Sequence, residues 1–166
     1  MTIGVQQLML EVERVRDVFH QAVYVAHDLD AALAVTSADC DVVNQPMQTG
    51  GTNAEDLRRF LAEDVLPHLP ADLSFRRITR TVDRWRAAEE TTVEFTHDRE
   101  LPWLLPGIAP THRRAEVLAI SVVTVRRSVI TAHRTLWDHA GLLAQLQLDP
   151  SDAVPYRSQI RAPAGS

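Results

Sequence analysis

The chain changes character near residue 74, and this constrains its fold more than anything else in it. Upstream, the segments with an apolar stripe have helical spacing. Downstream, four strand candidates succeed one another, separated by turns and one long loop. Helices segregated at one end, followed by a meander of strands, predict an α+β architecture rather than an alternating α/β one. A strongly curved antiparallel sheet crossed by three N-terminal helices leaves a conical hollow, a common place for a ligand.

The first helix is expected over residues 6–26. Leu8, Val12, Val15, Phe19, Ala22 and Ala26 recur there at three- and four-residue steps, while Glu11, Glu13, Arg14, Arg16 and Asp17 fall largely on the solvated side. Asp28 is a candidate cap for a short second helix over 29–35. Residues 41–46 are expected to form a short strand, closed by Pro46 and the Gly50-Gly51 pair. Asn53 is a candidate cap for a third helix that buries Leu57, Phe60, Leu61 and Val65 and ends at Pro67 and Pro70. Strands are expected over 74–82, 85–97, 115–125 and 129–137. The stretch "DRELPWLLPGIAPTHRR" forms a long loop between the middle two, and Leu142, Leu143 and Leu146 mark a short last helix.

With 166 residues, the chain is expected to hold one domain over 1–150 and a flexible tail over 151–166. Cys40 is the lone cysteine, so neither an intrachain disulfide nor a cysteine-rich metal site can form. Every basic residue is arginine, which removes Schiff-base chemistry and amine nucleophiles. A net charge of −5 argues against nucleic acid as a partner. No apolar run approaches the roughly 18 residues of a membrane span. The start "MTIGVQQLMLEVERVRD" lacks the pattern of a secretory signal, so the expectation is a cytoplasmic protein that meets no membrane. Gly50-Gly51 is not followed by the Lys-Ser/Thr of a P-loop. Neither G-x-G-x-x-G nor H-E-x-x-H occurs, and no cofactor or metal is expected.

Four stretches together carry a family resemblance: "VVNQPMQTGG", "RTVDRWRAAEETTVEFTHD", "LPWLLPGIAPTHRRAEV" and "LWDHAGLLAQLQL". Over roughly residues 8–150 the chain resembles the SnoaL-like branch of the nuclear-transport-factor-2-like superfamily, the polyketide cyclase and carboxymethylenebutenolidase-associated group. The resemblance implies a cone-shaped α+β fold, a homodimer formed through the sheet, and a pocket for small, mostly apolar molecules. Family members include cofactor-free cyclases that close a ring by intramolecular aldol condensation, and related folds hydrolyse epoxides, isomerise steroids or dehydrate. A hydrolase of the α/β type is excluded, because no G-x-S-x-G elbow is present. The resemblance places Thr135 where the cyclases carry their catalytic acid and Ser121 where they carry a histidine. Neither hydroxyl performs the same proton transfer, so aldol cyclisation does not carry over.

Other groups remain as candidates. Alternation along a strand puts His133, Thr135 and Trp137 on one face and Val93, Phe95 and His97 on another, both expected to face the hollow. His97, His133 and Asp138 are the candidate acid/base residues. Each has a structural alternative: a core or rim position for His97, an interface or carboxylate partner for His133, and a helix cap for Asp138. Asn44, Trp85, Phe95, Trp103, Ser121, Thr135 and Trp137 are the candidate ligand contacts, with Trp103, Leu104 and Leu105 as an apolar lid. His139 is expected on the surface of the last helix. His20, His27, His68 and His112 show no metal-ligating spacing.

Three functions follow from these expectations. The first is a cofactor-independent enzyme that works by acid/base chemistry on an apolar carbonyl or lactone-like substrate, as a cyclase, isomerase, dehydratase or hydrolase. The second is a non-catalytic small-ligand-binding or dimerisation module. The third is a dimer whose cone is filled by its own side chains.

Overall fold

The computed structural model describes residues 4–151. Apart from Ser151, the expected tail lies outside them. Helix α1 (Val5–Tyr24) leads, followed by α2 (Leu29–Ala34), β1 (Thr36–Gln45), β2 (Thr49–Gly51) and α3 (Ala54–Arg59). A wide π-helical turn over Phe60–Val65 and a 3-10 turn over Leu66–His68 prolong α3. Then come β3 (Ser74–Val82), β4 (Arg86–Thr96), β5 (Arg114–Arg126), β6 (Val129–Trp137) and α4 (His139–Gln145). The α+β reading therefore holds, on a curved open sheet.

The six strands lie in the order β2-β1-β6-β5-β4-β3. One pairing departs from an all-antiparallel sheet: β1 runs parallel to β6, joined through Asn44↔Thr135 and Val42↔His133. Parallel neighbours need a long connection, and here most of the chain lies between them. Strand β1 begins earlier than expected, at Thr36, which pairs with Ile130 of β6 before a register shift that ends at Asp41.

The glycine pair does not simply end β1. Gly50 and Gly51 belong to β2, which folds back on β1. At Gly50, φ is 146°, and a Cβ would overlap the Val42 carbonyl oxygen, so only glycine fits this close approach.

Helix α1 buries Val12, Val15, Phe19, Ala22 and Val23 against the concave face of the sheet. Each valine and Phe19 contributes about 2 kcal/mol through removal from water, and Ala22 less than about 1 kcal/mol. Ala26, expected on this stripe, lies past the helix end and is exposed. The short helices are capped as their sequences predict: the Asp28 side chain accepts from the Ala31 N–H at 2.9 Å, and Asn53 Oδ1 accepts from the Asp56 N–H at 2.9 Å. The β5–β6 hairpin turns at Arg127 and Ser128, both with positive φ (50° and 65°). Among the described residues, no helix is long and apolar enough to cross a membrane.

Candidate functional site

Inward side chains form rows across the sheet. One row runs Arg80↔Glu89↔Ser121↔Thr135↔Asn44 through four successive pairings. The next runs Ala87↔Val123↔His133↔Val42. Helix α1 lies over these rows and presents Arg16, Phe19, His20, Val23 and Tyr24. Phe60, Leu61 and Val65 close another side, and Trp103 closes it from the long loop. The cavity between them is small, about 70 Å³, and open to the surface on one side.

Of the expected site residues, Asn44, Trp103, Ser121, His133, Thr135 and Trp137 line this cavity. Asn44 Oδ1 accepts the Trp137 indole N–H at 3.1 Å, which fixes both side chains across the β1–β6 pair. Trp103 and Trp137 meet at a tilt, 5.7 Å between centroids. Trp103, Leu104 and Leu105 are each 1% exposed, so this segment is a packed wall rather than a lid over the surface. Its apolar side chains displace water from the core, and the Trp103 carbonyl accepts a 2.7 Å hydrogen bond from Thr49 Oγ1.

The other four residues lie outside the lining. Asp138 caps α4, accepting the Gly141 N–H at 3.0 Å. His97 is fully buried at the end of β4, where its Nδ1 accepts from the Thr111 N–H at 3.2 Å and lies 3.0 Å from Thr111 Oγ1. It clamps the return of the long loop, and burial lowers its pKa. Phe95 is core, and Trp85 sits exposed at the β3–β4 turn. For Phe95 and His97 alternation identified the correct face, but both lie farther along β4 than the cavity reaches. His139 is partly buried, with no hydrogen bond to its Nε2, rather than fully on the surface.

Several cavity residues were missed from sequence. Arg16, assigned to the solvated side of α1, turns inward and pairs with Glu89, a carboxylate only 2% exposed. Arg80 bonds Glu89 through Nε at 2.5 Å and Asp17 through Nη2 at 2.5 Å. Arg77 approaches Glu89 at 3.5 Å. This network ties α1 to β3 and β4 at the cavity edge. His20 lies one helical turn past Arg16, edge-on to Phe75 at 4.7 Å and 5.0 Å from Tyr24. The only sequence signal for these residues was an ionisable residue one step off the apolar stripe.

Burial sets the electrostatics. Desolvation, reinforced by the nearby Arg16 charge, lowers His133 and His20 to about 4, and His20 lowers His133 further. Burial raises the Tyr24 phenol to about 12. Near neutral pH the cavity therefore holds two uncharged imidazoles, a phenol and the hydroxyls of Thr91, Ser121 and Thr135. Arg16 is the sole charged residue of its wall among the described residues. His133 Nδ1 and Trp103 Nε1 are buried without hydrogen-bond partners. Such atoms cost free energy unless a ligand or water satisfies them. Among the described residues, no cluster of three or more His, Cys, Asp or Glu could hold a metal ion.

No family model matches the sequence, and no curated protein matches it either. Solved structures do resemble it. A protein described as a SnoaL-like polyketide cyclase, from Jannaschia sp. CCS1, superposes with a TM-score of 0.72 at 12% identity, covering 90% of this chain and all of that one. A protein of ketosteroid isomerase-like fold from Catenulispora acidiphila gives a TM-score of 0.64 at 15% identity, covering 85% and 97%. An LEH-like epoxide hydrolase from M. tuberculosis gives 0.61 at 16%, covering 84% and 91%. The chain has the fold of the SnoaL-like proteins of the nuclear-transport-factor-2-like superfamily.

Proposed function

We propose that the cavity is a cofactor-independent site for acid/base chemistry on a compact, apolar, carbonyl-bearing or lactone-like molecule, with His133 as the central proton-handling group. The observation that carries this reading is His133 Nδ1: buried, without a partner, on a side chain that faces the hollow. An uncharged imidazole there can accept a proton or hydrogen-bond a carbonyl or hydroxyl. His20 is the second imidazole, and Ser121 and Thr135 offer hydroxyls where a resembling cyclase would carry its histidine and acid. His97 and Asp138 have no part in this site. The volume admits only a very small molecule or the reacting end of a larger one. It is less than the roughly 150 Å³ that accommodates benzene in an engineered cavity, so a polycyclic substrate requires the walls to open.

Proton transfer gives a direct test. Small cyclic ketones and lactones are incubated with the protein in heavy water, without added cofactor, and exchange of the hydrogen beside the carbonyl is followed by NMR. The expected result is accelerated exchange in the wild type, loss in His133→Gln, and no change in Asp138→Ala. Equal exchange in wild type and a His20→Gln, His133→Gln double variant would eliminate the proposal.

A second reading, binding without catalysis, is favoured by the same burial. An imidazole near 4 is a weak base, and among the described residues no carboxylate lines the wall. Saturable binding without any exchange would select it. The small volume supports the third reading, a cone packed by its own side chains, whereas the two unpartnered polar atoms oppose it.

The proposal includes a homodimer through the outer sheet face. Leu118, Ile120, Val122 and Leu136 are exposed there, and Ile120 pairs directly with Leu136 across β5 and β6. Contiguous apolar surface of this kind marks association sites.

A further inference from the structure

A second cleft, about 380 Å³, opens between the first turns of α1 and the ends of the β3–β4 and β5–β6 hairpins. We propose that it binds an organic phosphate, a phosphomonoester whose apolar body rests on Leu8, Val12 and Val125. It shares no lining residue with the cavity described above.

Three guanidiniums border the cleft: Arg84, Arg126 and Arg127. Arg84 stacks 3.9 Å from the Trp85 ring centroid, and Arg126 stacks at 4.8 Å. Stacking immobilises a guanidinium by its face and leaves its in-plane N–H donors free. Arg126 is held further by Val125 O, which accepts from its Nη1 at 2.9 Å. Among the described residues, none of the three forms an ion pair within 4 Å, although Arg126 interacts with the nearby Asp83 charge. The Glu11 carboxylate also borders the cleft, but Arg14 engages both its oxygens, at 2.6 and 3.0 Å. Asp83 is occupied by the backbone N–H groups of Trp85 and Arg86 at 2.6 and 2.7 Å. The local balance is positive, on a chain whose net charge is −5.

The turn that carries Arg127 is strained. Arg127 and Ser128 both occupy the left-handed region, which a two-residue hairpin turn normally fills with Asn-Gly. Strain of this kind persists where the surrounding structure imposes it, and it occurs frequently at binding sites. Here it holds the Arg127 guanidinium at the rim, while the Ser128 hydroxyl is engaged by the Glu11 carboxylate. Planar, preorganised donors above an apolar base match a dianionic phosphate attached to an apolar group.

Phenyl phosphate is the probe, titrated at constant ionic strength and followed by proton–nitrogen correlation NMR at the Trp85 indole and the Arg127 and Ser128 amides. Inorganic phosphate and benzyl alcohol are titrated in parallel. The expected result is saturable binding of phenyl phosphate, weaker binding of either fragment, and a loss of roughly tenfold in Arg84→Gln. Arg127→Gly removes a guanidinium while relieving the turn, so it should bind more weakly yet unfold at a higher temperature. His133→Gln should leave binding unchanged, which separates this site from the cavity. Absence of saturation, unaltered affinity in both arginine variants, or equal binding of inorganic phosphate would each overturn the proposal.

Discussion

Phe19 meets His133 edge-on, 5.6 Å between ring centroids at 74°, and so places an aromatic ring from α1 against the imidazole from β6. The contact belongs to the enclosure that removes water from His133, and burial is the main reason its pKa falls to about 4.

This makes stability depend on pH in a defined direction. His133 and His20 both fall from 6.5 to about 4 on folding, so between those values the unfolded chain binds more protons. Stability is full above 6.5 and is lost as pH falls toward 4, on the order of 3 kcal/mol for each imidazole at the limit. Carboxylates begin to contribute below about pH 5, so the interval from 6.5 down to about 5 isolates the histidines. Thermal melts should show a falling midpoint there, flattened in a His20→Gln, His133→Gln variant. A flat wild-type profile would contradict the burial argument. If His133 acts as a base, the acid limb of its activity should also lie near 4.

The cap of α4 provides a second test. Asp138→Ala should cost about 1 kcal/mol by removing the acceptor for the Gly141 N–H. Gly141→Ala should also destabilise, although alanine is the better helix former, because its Cβ would overlap the Asp138 carboxylate and displace the cap. The two losses should not add. Urea denaturation of both single variants and the double variant measures this, and additive losses would show that the cap is not the shared cause.

Glu89 is the carboxylate on which the ionic network converges. Glu89→Gln should cost about 3 kcal/mol, since it leaves buried guanidinium charge less compensated. Replacing the pair together, Arg16→Met with Glu89→Leu, should cost less than the sum of the single replacements. A double-mutant cycle by chemical denaturation gives the coupling. A cycle with no coupling would show that Arg16 and Glu89 act independently.

The outer sheet face should control assembly. Ile120→Arg and Leu136→Arg each place a charge in the exposed apolar cluster. Sedimentation equilibrium should shift toward monomer while the circular dichroism spectrum is unchanged. A wild type that is already monomeric at all concentrations would remove the dimer from the proposal.

Local chemistry made much of this protein legible in its residues alone. Helical spacing in 6–26, the caps Asp28, Asn53 and Asp138, and the shared face of His133, Thr135 and Trp137 all depend on neighbours within a few positions, and side-chain period and capping act over that range. Tertiary structure decided the rest. The rotation of α1 over the sheet turned Arg16 and His20 inward, though both lie beside rather than on the apolar stripe. The depth of the cavity along β4 excluded Phe95 and His97, because alternation specifies a face but not how far a hollow extends along it. The parallel docking of β1 on β6, and the meeting of Arg16 with Glu89, join residues that are distant in the chain, and no local pattern encodes such partners.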